Sequence, residues 1–327
     1  MPLVRPASHA GSWYIGSGSR LNAQLDKFLA STAFDQSTIG ARVIIGPHAG
    51  YTYSGSTLAE AYKSWDTSKV KRIFILGPSH YVYFKNYVLT TKFDYYETPM
   101  GNLPVDTEII DQLTLNESSS KIIRKMSFEN DEEEHSFELH APYIYKMAKD
   151  LPQGIPKIIP IMVCSLDDST ELKIAKILSK YISDEETSFI ISSDFCHWGS
   201  RFDYTIYSPT KSLKNLKELS TRNYLSYLEP SIPIYKSIEF LDREAMKVLS
   251  KGAYNDWKQY IKLTGNTICG QKPIAIILKA IENYKSANKI SLNSKGPLFN
   301  FLGYRQSSHV RSFSDSSVSY ASAYAII

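Results

Sequence analysis

Three histidines in this chain each follow a short apolar, β-branched run within a few residues. Residues 43–45 precede His48, residues 73–76 precede His80 and residues 189–191 precede His197. A buried strand that gives way to Gly, Pro, Ser or Asp places whatever follows at its carboxyl edge. If the three runs are neighbouring parallel strands, their histidines meet in the crevice where open α/β sheets bind ligands. Cys269, between an apolar, aromatic segment and a helix-like run, is a candidate for the same crevice.

Neutral imidazole and thiolate suit Zn, Fe(II) or Cu, and an oxygen-only Ca or Mg site would not select them. His48 and His80 are the stronger pair, in GPH and GPSH. Proline stiffens such a turn and glycine lets the backbone pass close to a ligand, so both rings can be held with little mobility. Cys269 is the third metal candidate, giving a facial triad in which a thiolate replaces the usual carboxylate. The softer, oxidisable sulfur favours copper or redox-active iron, while two histidines and a cysteine around an open position also describe a catalytic zinc site.

His197 lies three residues beyond Asp194 in SSDFCH. It reads as acid, base or substrate anchor, with Asp194 orienting an imidazole or a water. The alternative, His197 on the metal and Cys269 free, is chemically allowed. Cys196, next to His197 on an extended segment, points the other way and into the core. The segment EHSFELH is not HExxH, which excludes a zincin. Glu138 or His140 can still reach the crevice from the amino end of a helix, and His9 from an aromatic arm. The acidic residues 129–134 read as a solvated loop. There is no GxSxG, P-loop or GxGxxG element for a serine hydrolase, an NTPase or a dinucleotide enzyme.

The elements that must position these groups follow from periodicity and punctuation. Residues 1–20 form an irregular arm around Trp13 and Tyr14, followed by a helix over 21–30. Residues 50–55 read as a small-residue turn and 56–65 as a helix. Strands are expected at 72–76, 88–91 and 157–163, the last near a sheet edge because of Pro160. TPMGNLPVD reads as a loop, with Asp106 capping the next helix. A helix over HSFELHAPYIYKMAKDL restarts near Ala141 because of Pro142. Ser165 or Asp168 caps another. Residues 203–233 form a surface excursion with one helix inside. Two helices divided near Gly252 cover 238–260, a helix follows Cys269, and residues 298–304 and 318–325 alternate as strands.

A chain of 327 residues with 43% hydrophobic residues supports one large core, and no linker divides 43 from 191. The expectation is a single α/β domain over 1–327, with a central mostly parallel or mixed sheet flanked by helices. A net charge of +4 without a basic tract argues against nucleic acid. No run is long and apolar enough for a membrane span, and the first residues lack a signal-peptide core. Three cysteines cannot all pair internally, so a reduced, intracellular setting is expected.

ASHAGSWY (7–14), PHAGYTYSG (47–55), KRIFILGPSH (71–80), DEEEHSFELHAPY (131–143), SSDFCHWGSRF (192–202), NTICGQKPI (266–274) and DSSVSYA (315–321) together resemble the Memo family, the mediators of receptor-tyrosine-kinase-driven cell motility. The resemblance implies a fold similar to the class III extradiol dioxygenases, the LigB-like non-heme iron enzymes. It implies His48, His80 and Cys269 at the metal positions and His197 in the place of a catalytic histidine. It further implies copper or iron binding with redox activity, a signalling protein or phosphotyrosine-type peptide as partner, and a role in the cytoskeleton, motility and invasive growth, in the cytoplasm and also the nucleus. Cys269 stands where those dioxygenases have a carboxylate, a departure that bears on ring cleavage. Three functions follow: a metal-binding signalling protein, an O2-dependent copper or iron redox enzyme, or a metal-dependent hydrolase.

Overall fold

Four apolar runs, each buried along nearly its whole length, line up in parallel at the centre of the molecule. The computed structural model describes residues 1–33, 37–117, 119, 121–292 and 296–327. The four strands are β1 (Ala41–Gly46), β2 (Arg72–Pro78), β5 (Lys157–Val163) and β6 (Thr187–Ser192). Strands β3 (Val88–Thr90), β4 (Ile123–Lys125), β7 (His197–Trp198), β8 (Phe299–Gln306) and β9 (Ser317–Ile326) complete a nine-stranded mixed sheet. Its order is β7-β9-β1-β6-β2-β5-β3-β4, with β8 on β9. Strand β6 lies between β1 and β2, with Ile44 opposite Ile190 and Phe74 opposite Phe189. The three expected strands are therefore parallel neighbours, and all end at one edge of the sheet.

Helices cover both faces. Helices α7 (Asp168–Ile182) and α10 (Gln271–Ala287) pack together over β2 and β6. The other face carries α1 (Gly18–Ala30), α2 (Tyr51–Ser64) and α6 (Ala141–Ala148). Helix α3 (Thr107–Leu115) flanks β4, while α8 (Ile234–Lys251) and α9 (Tyr254–Thr264) meet at Gly252, whose φ of +79° ends α8 in the left-handed region. The chain is thus one α/β domain with a mixed sheet flanked by helices. Among the described residues no helix is long and apolar enough to cross a membrane.

Several elements depart from expectation for identifiable reasons. Residues 51–55 belong to α2, because Gly50 caps it and Gly55 gives Phe28 room; a Cβ there would lie 2.5 Å from that ring. TPMGNLPVD is not a plain loop: Tyr95–Thr98 pairs with Gly101–Pro104, and Gly101 turns the chain at φ +146° beneath Tyr145. Strand β5 is interior despite Pro160. The Ile158 carbonyl accepts from Asp106, so by the two-residue period Pro160 turns its nitrogen to that flank, where the β3 ladder stops at Thr90–Ile161. Helix α7 is capped by Asp167, not by Ser165 or Asp168. Residues 203–233 hold a hairpin (Ile206–Tyr207 with Lys217–Glu218) and a short helix (Tyr224–Tyr227). Tyr204, Tyr207 and Leu219 there bury against Trp198, Ile234 and Val310 as a small second core.

The largest departure is the acidic run. It forms α4 (Phe128–Glu133), followed by the one-turn α5 (His135–Glu138), and Asp131, Glu134 and Glu138 are fully buried. Arg5, itself buried on the short strand Val4–Arg5, reaches Asp131 Oδ1 at 3.0 Å and Glu138 Oε2 at 2.6 Å. Its remaining hydrogens go to the carbonyls of Pro6, Asp131, Glu132 and Glu134. Removing one partner of such a buried pair strands the other charges. Arg5→Met is expected to lose about 3–5 kcal/mol of stability in urea unfolding. Arg5→Lys recovers only part of it, since an ammonium cannot fill the planar fork.

Candidate metal centre

His48 follows β1, and its ring Nδ1 lies 2.6 Å from Ser192 Oγ at the end of β6. The single hydroxyl hydrogen of Ser192 goes to the Ser136 carbonyl at 2.7 Å, so towards His48 the oxygen accepts. His48 therefore carries its hydrogen on Nδ1 and keeps a lone pair on Nε2. Burial, then the neighbouring imidazoles of His80 and His135, hold the ring well below the usual histidine range and so neutral.

His80 follows β2 and is clamped by Glu134, which takes its backbone N–H on Oε2 at 2.7 Å and its ring Nδ1–H on Oε1 at 2.9 Å. Burial by itself would raise the Glu134 carboxyl, but the His80 hydrogen bonds and charge outweigh it and hold it at about 2. An ionised carboxylate only accepts, so the free nitrogen of His80 is again Nε2. This is the carboxylate–histidine arrangement that orients imidazole ligands of metals.

Cys269 lies between α9 and α10, where Gly265 (φ +59°) reverses the chain out of α9. Its Sγ is 3.2 Å from His48 Nε2 and accepts the Asp194 backbone N–H at 3.1 Å. The ligand atoms of His48, His80 and Cys269 all lie within 4.8 Å of one another. The two imidazole centroids are 5.0 Å apart, close to the roughly 5 Å of two rings sharing a tetrahedral ion at ordinary metal–nitrogen distances. Desolvation, with Asp194 beside it, pushes the Cys269 thiol well above its usual value, so the thiol is protonated until a cation displaces the proton.

The other expected residues are placed differently. His197 falls in neither close donor group among the described residues. Its Nδ1 donates to the Phe195 and Thr267 carbonyls at 2.9 and 3.1 Å, which leaves Nε2 as its acceptor. Asp194 Oδ1 accepts the His48 backbone N–H at 2.9 Å, so this carboxyl holds the GPH turn rather than an imidazole ring. Burial raises its pKa. Cys196 is fully buried. Glu138 accepts from Arg5, Tyr14 and His9 and is saturated beneath the cleft. His140 is fully buried, with Nδ1 2.9 Å from the Tyr62 hydroxyl, and burial pushes it down to about 3. It supports the floor under Gly46 and does not line the cleft.

Sequence reasoning missed Glu134 and His135. The His135 ring lies 4.3 Å from that of His80 and 5.4 Å from that of His48, and His80, Glu134 and His135 form the second close donor group. Burial, then the His80 charge, pushes His135 down to about 4. The available signal was an acidic residue directly before a one-turn helix, where a carboxylate caps: Glu134 accepts the Ser136 N–H at 2.8 Å.

Gly270 lets the Cys269 loop approach β6. A Cβ there would lie 2.3 Å from Ser193 Cβ and 2.7 Å from the Ser192 carbonyl. Gly270→Ala is therefore expected to destabilise by about 1–3 kcal/mol in chemical denaturation, the cost of overpacking a closed site.

A family model described as Memo-like protein matches residues 5–324. The chain is 43% identical to the MEMO1 family protein MHO1 of Saccharomyces cerevisiae, over 99% of each chain. It is 41% identical to Protein MEMO1 of Homo sapiens, over 98% of this chain and 96% of that one, and 41% identical to Protein MEMO1 of Xenopus laevis, over 99% and 98%. On a match spanning nearly its full length, the chain belongs to the Memo-like family.

Proposed function

We propose that the chain is a metal-binding, non-heme-dioxygenase-like protein that holds iron(II) or copper on His48, His80 and Cys269 and acts in signalling that controls cell growth, morphology or motility. One observation supports it above the others: two imidazoles whose Nδ1 hydrogens are committed to Ser192 and Glu134 share a 4.8 Å space with a cysteine sulfur. Two neutral nitrogens and a sulfur that ionises on binding form a borderline-to-soft donor set, which suits copper, iron(II) and zinc and not magnesium or calcium. A bound iron or copper ion supplies one-electron redox chemistry. The protein's part is to fix both tautomers, to shelter the thiol, and to keep His197 Nε2 available as a hydrogen-bond acceptor near the cleft. Family membership supports a signalling role, with a signalling protein or phosphotyrosine-type peptide as partner, in the cytoplasm and also the nucleus.

Anaerobic purification and metal analysis of wild type and His48→Ala test the reading. Near-stoichiometric iron or copper is expected in the wild type and little in the variant. A wild type that takes up neither metal under those conditions would count decisively against it. Turnover of dioxygen that disappears in His48→Ala marks an enzyme, whereas partner binding that survives the substitution marks an adaptor.

Ser192→Ala separates positioning from ligation. It removes the acceptor that fixes the His48 tautomer without removing a ligand atom. Metal affinity, measured by competition with a chromogenic chelator, is expected to fall about 10–100-fold, the range for losing an outer partner of a ligating histidine.

A further inference from the structure

The clamp that fixes His80 occurs a second time, on a histidine outside the His48, His80 and Cys269 group. Glu138 takes the His9 backbone N–H on Oε1 at 2.8 Å and the ring Nδ1–H on Oε2 at 2.8 Å. Glu134 holds His80 in the same way four residues earlier. Arg5 Nη1 at 2.6 Å and the Tyr14 hydroxyl at 2.8 Å complete the Glu138 carboxylate, and both residues are buried. A carboxylate paired with a guanidinium and crowded by donors only accepts, so His9 keeps its lone pair on Nε2. This pre-set tautomer is what a metal-ligating histidine needs.

His135 stands next to it, with ring centroids 5.9 Å apart. Among the described residues the His135 ring makes no hydrogen bond; its Nδ1 lies 3.7 Å from Glu134 Oε1. Trp13 packs against both rings, edge-on to His9 at 5.7 Å and tilted against His135 at 4.4 Å. Two imidazoles on one ion at about 2.0–2.1 Å have centroids roughly 4.5–6.5 Å apart as the angle at the metal opens, and the observed separation falls in that range.

We propose that His9 and His135 hold a second metal ion, a borderline divalent cation such as zinc(II), beside the His48, His80 and Cys269 position. This donor set offers two imidazole nitrogens and no sulfur. The two positions therefore differ in chemistry, although His135 lies 4.3 Å from His80 between ring centroids.

Zinc(II) uptake by the full chain, counted by equilibrium dialysis with metal analysis, tests it. His135→Ala removes a ring that makes no hydrogen bond, and His9→Asn keeps a donor for Glu138 while removing Nε2. Each is expected to bind one equivalent fewer than wild type. Zinc uptake unchanged in both variants overturns the proposal. Cobalt(II) loading distinguishes the positions, because only a cysteine ligand gives a thiolate-to-cobalt charge-transfer band. The band is expected to persist in both variants and to vanish in Cys269→Ala. Its absence from wild type, with zinc uptake still falling in His9→Asn and His135→Ala, supports the second position while counting against an ion on Cys269.

Discussion

A single buried guanidinium organises the candidate site. Arg5 binds two carboxylates and the carbonyls of Asp131, Glu132 and Glu134, and so fixes the path of residues 131–138 over the end of the sheet. That path determines where Glu134 and Glu138 point, and hence which nitrogen His80 and His9 present. Burying so much charge is costly unless every donor and acceptor is matched. Here the five guanidinium hydrogens have carboxylate or carbonyl partners, which is the condition under which such a cluster specifies one arrangement.

The sheet supplies the other half of the geometry. Adjacent strands are about 4.8 Å apart, so groups on β1 and β2, with β6 between them, cannot meet by strand spacing alone. Their turns lean inward over β6, which contributes Ser192, and the segment after it contributes Asp194. His48 is held by Ser192, whose hydroxyl is itself tied to the Ser136 carbonyl, and His80 is held by Glu134. The 131–138 segment thus bears on the orientation of both histidines.

Much of this was legible in the sequence because it rested on short-range signals. Continuous apolar runs followed by GPH, GPSH and SSD placed β1, β2 and β6 and their common edge, which is where His48 and His80 lie. What stayed hidden depended on long-range pairing. Nothing local to residues 129–134 shows that Arg5, more than a hundred positions away, draws Asp131 and Glu134 out of a charged run into the interior. For the same reason Glu134 read as part of a solvated loop. Pro160 misled because the rule against proline in interior strands concerns which flank its nitrogen faces, a property of the finished sheet. Asp194 misled in a subtler way: the residue is at the site, but it takes a backbone hydrogen instead of an imidazole one.

Cys269 touches His48 across 221 residues of sequence. An ion shared by those two side chains would tie the last third of the polypeptide to the first strand of the parallel core. Because the unfolded chain offers no such pair, occupancy stabilises the native form by mass action and grows with free ion concentration. The same tie opposes any excursion in which α9 and α10 lift away from β6. Under the proposed metal binding, loading state would thereby be coupled to how often the carboxyl-terminal helices open.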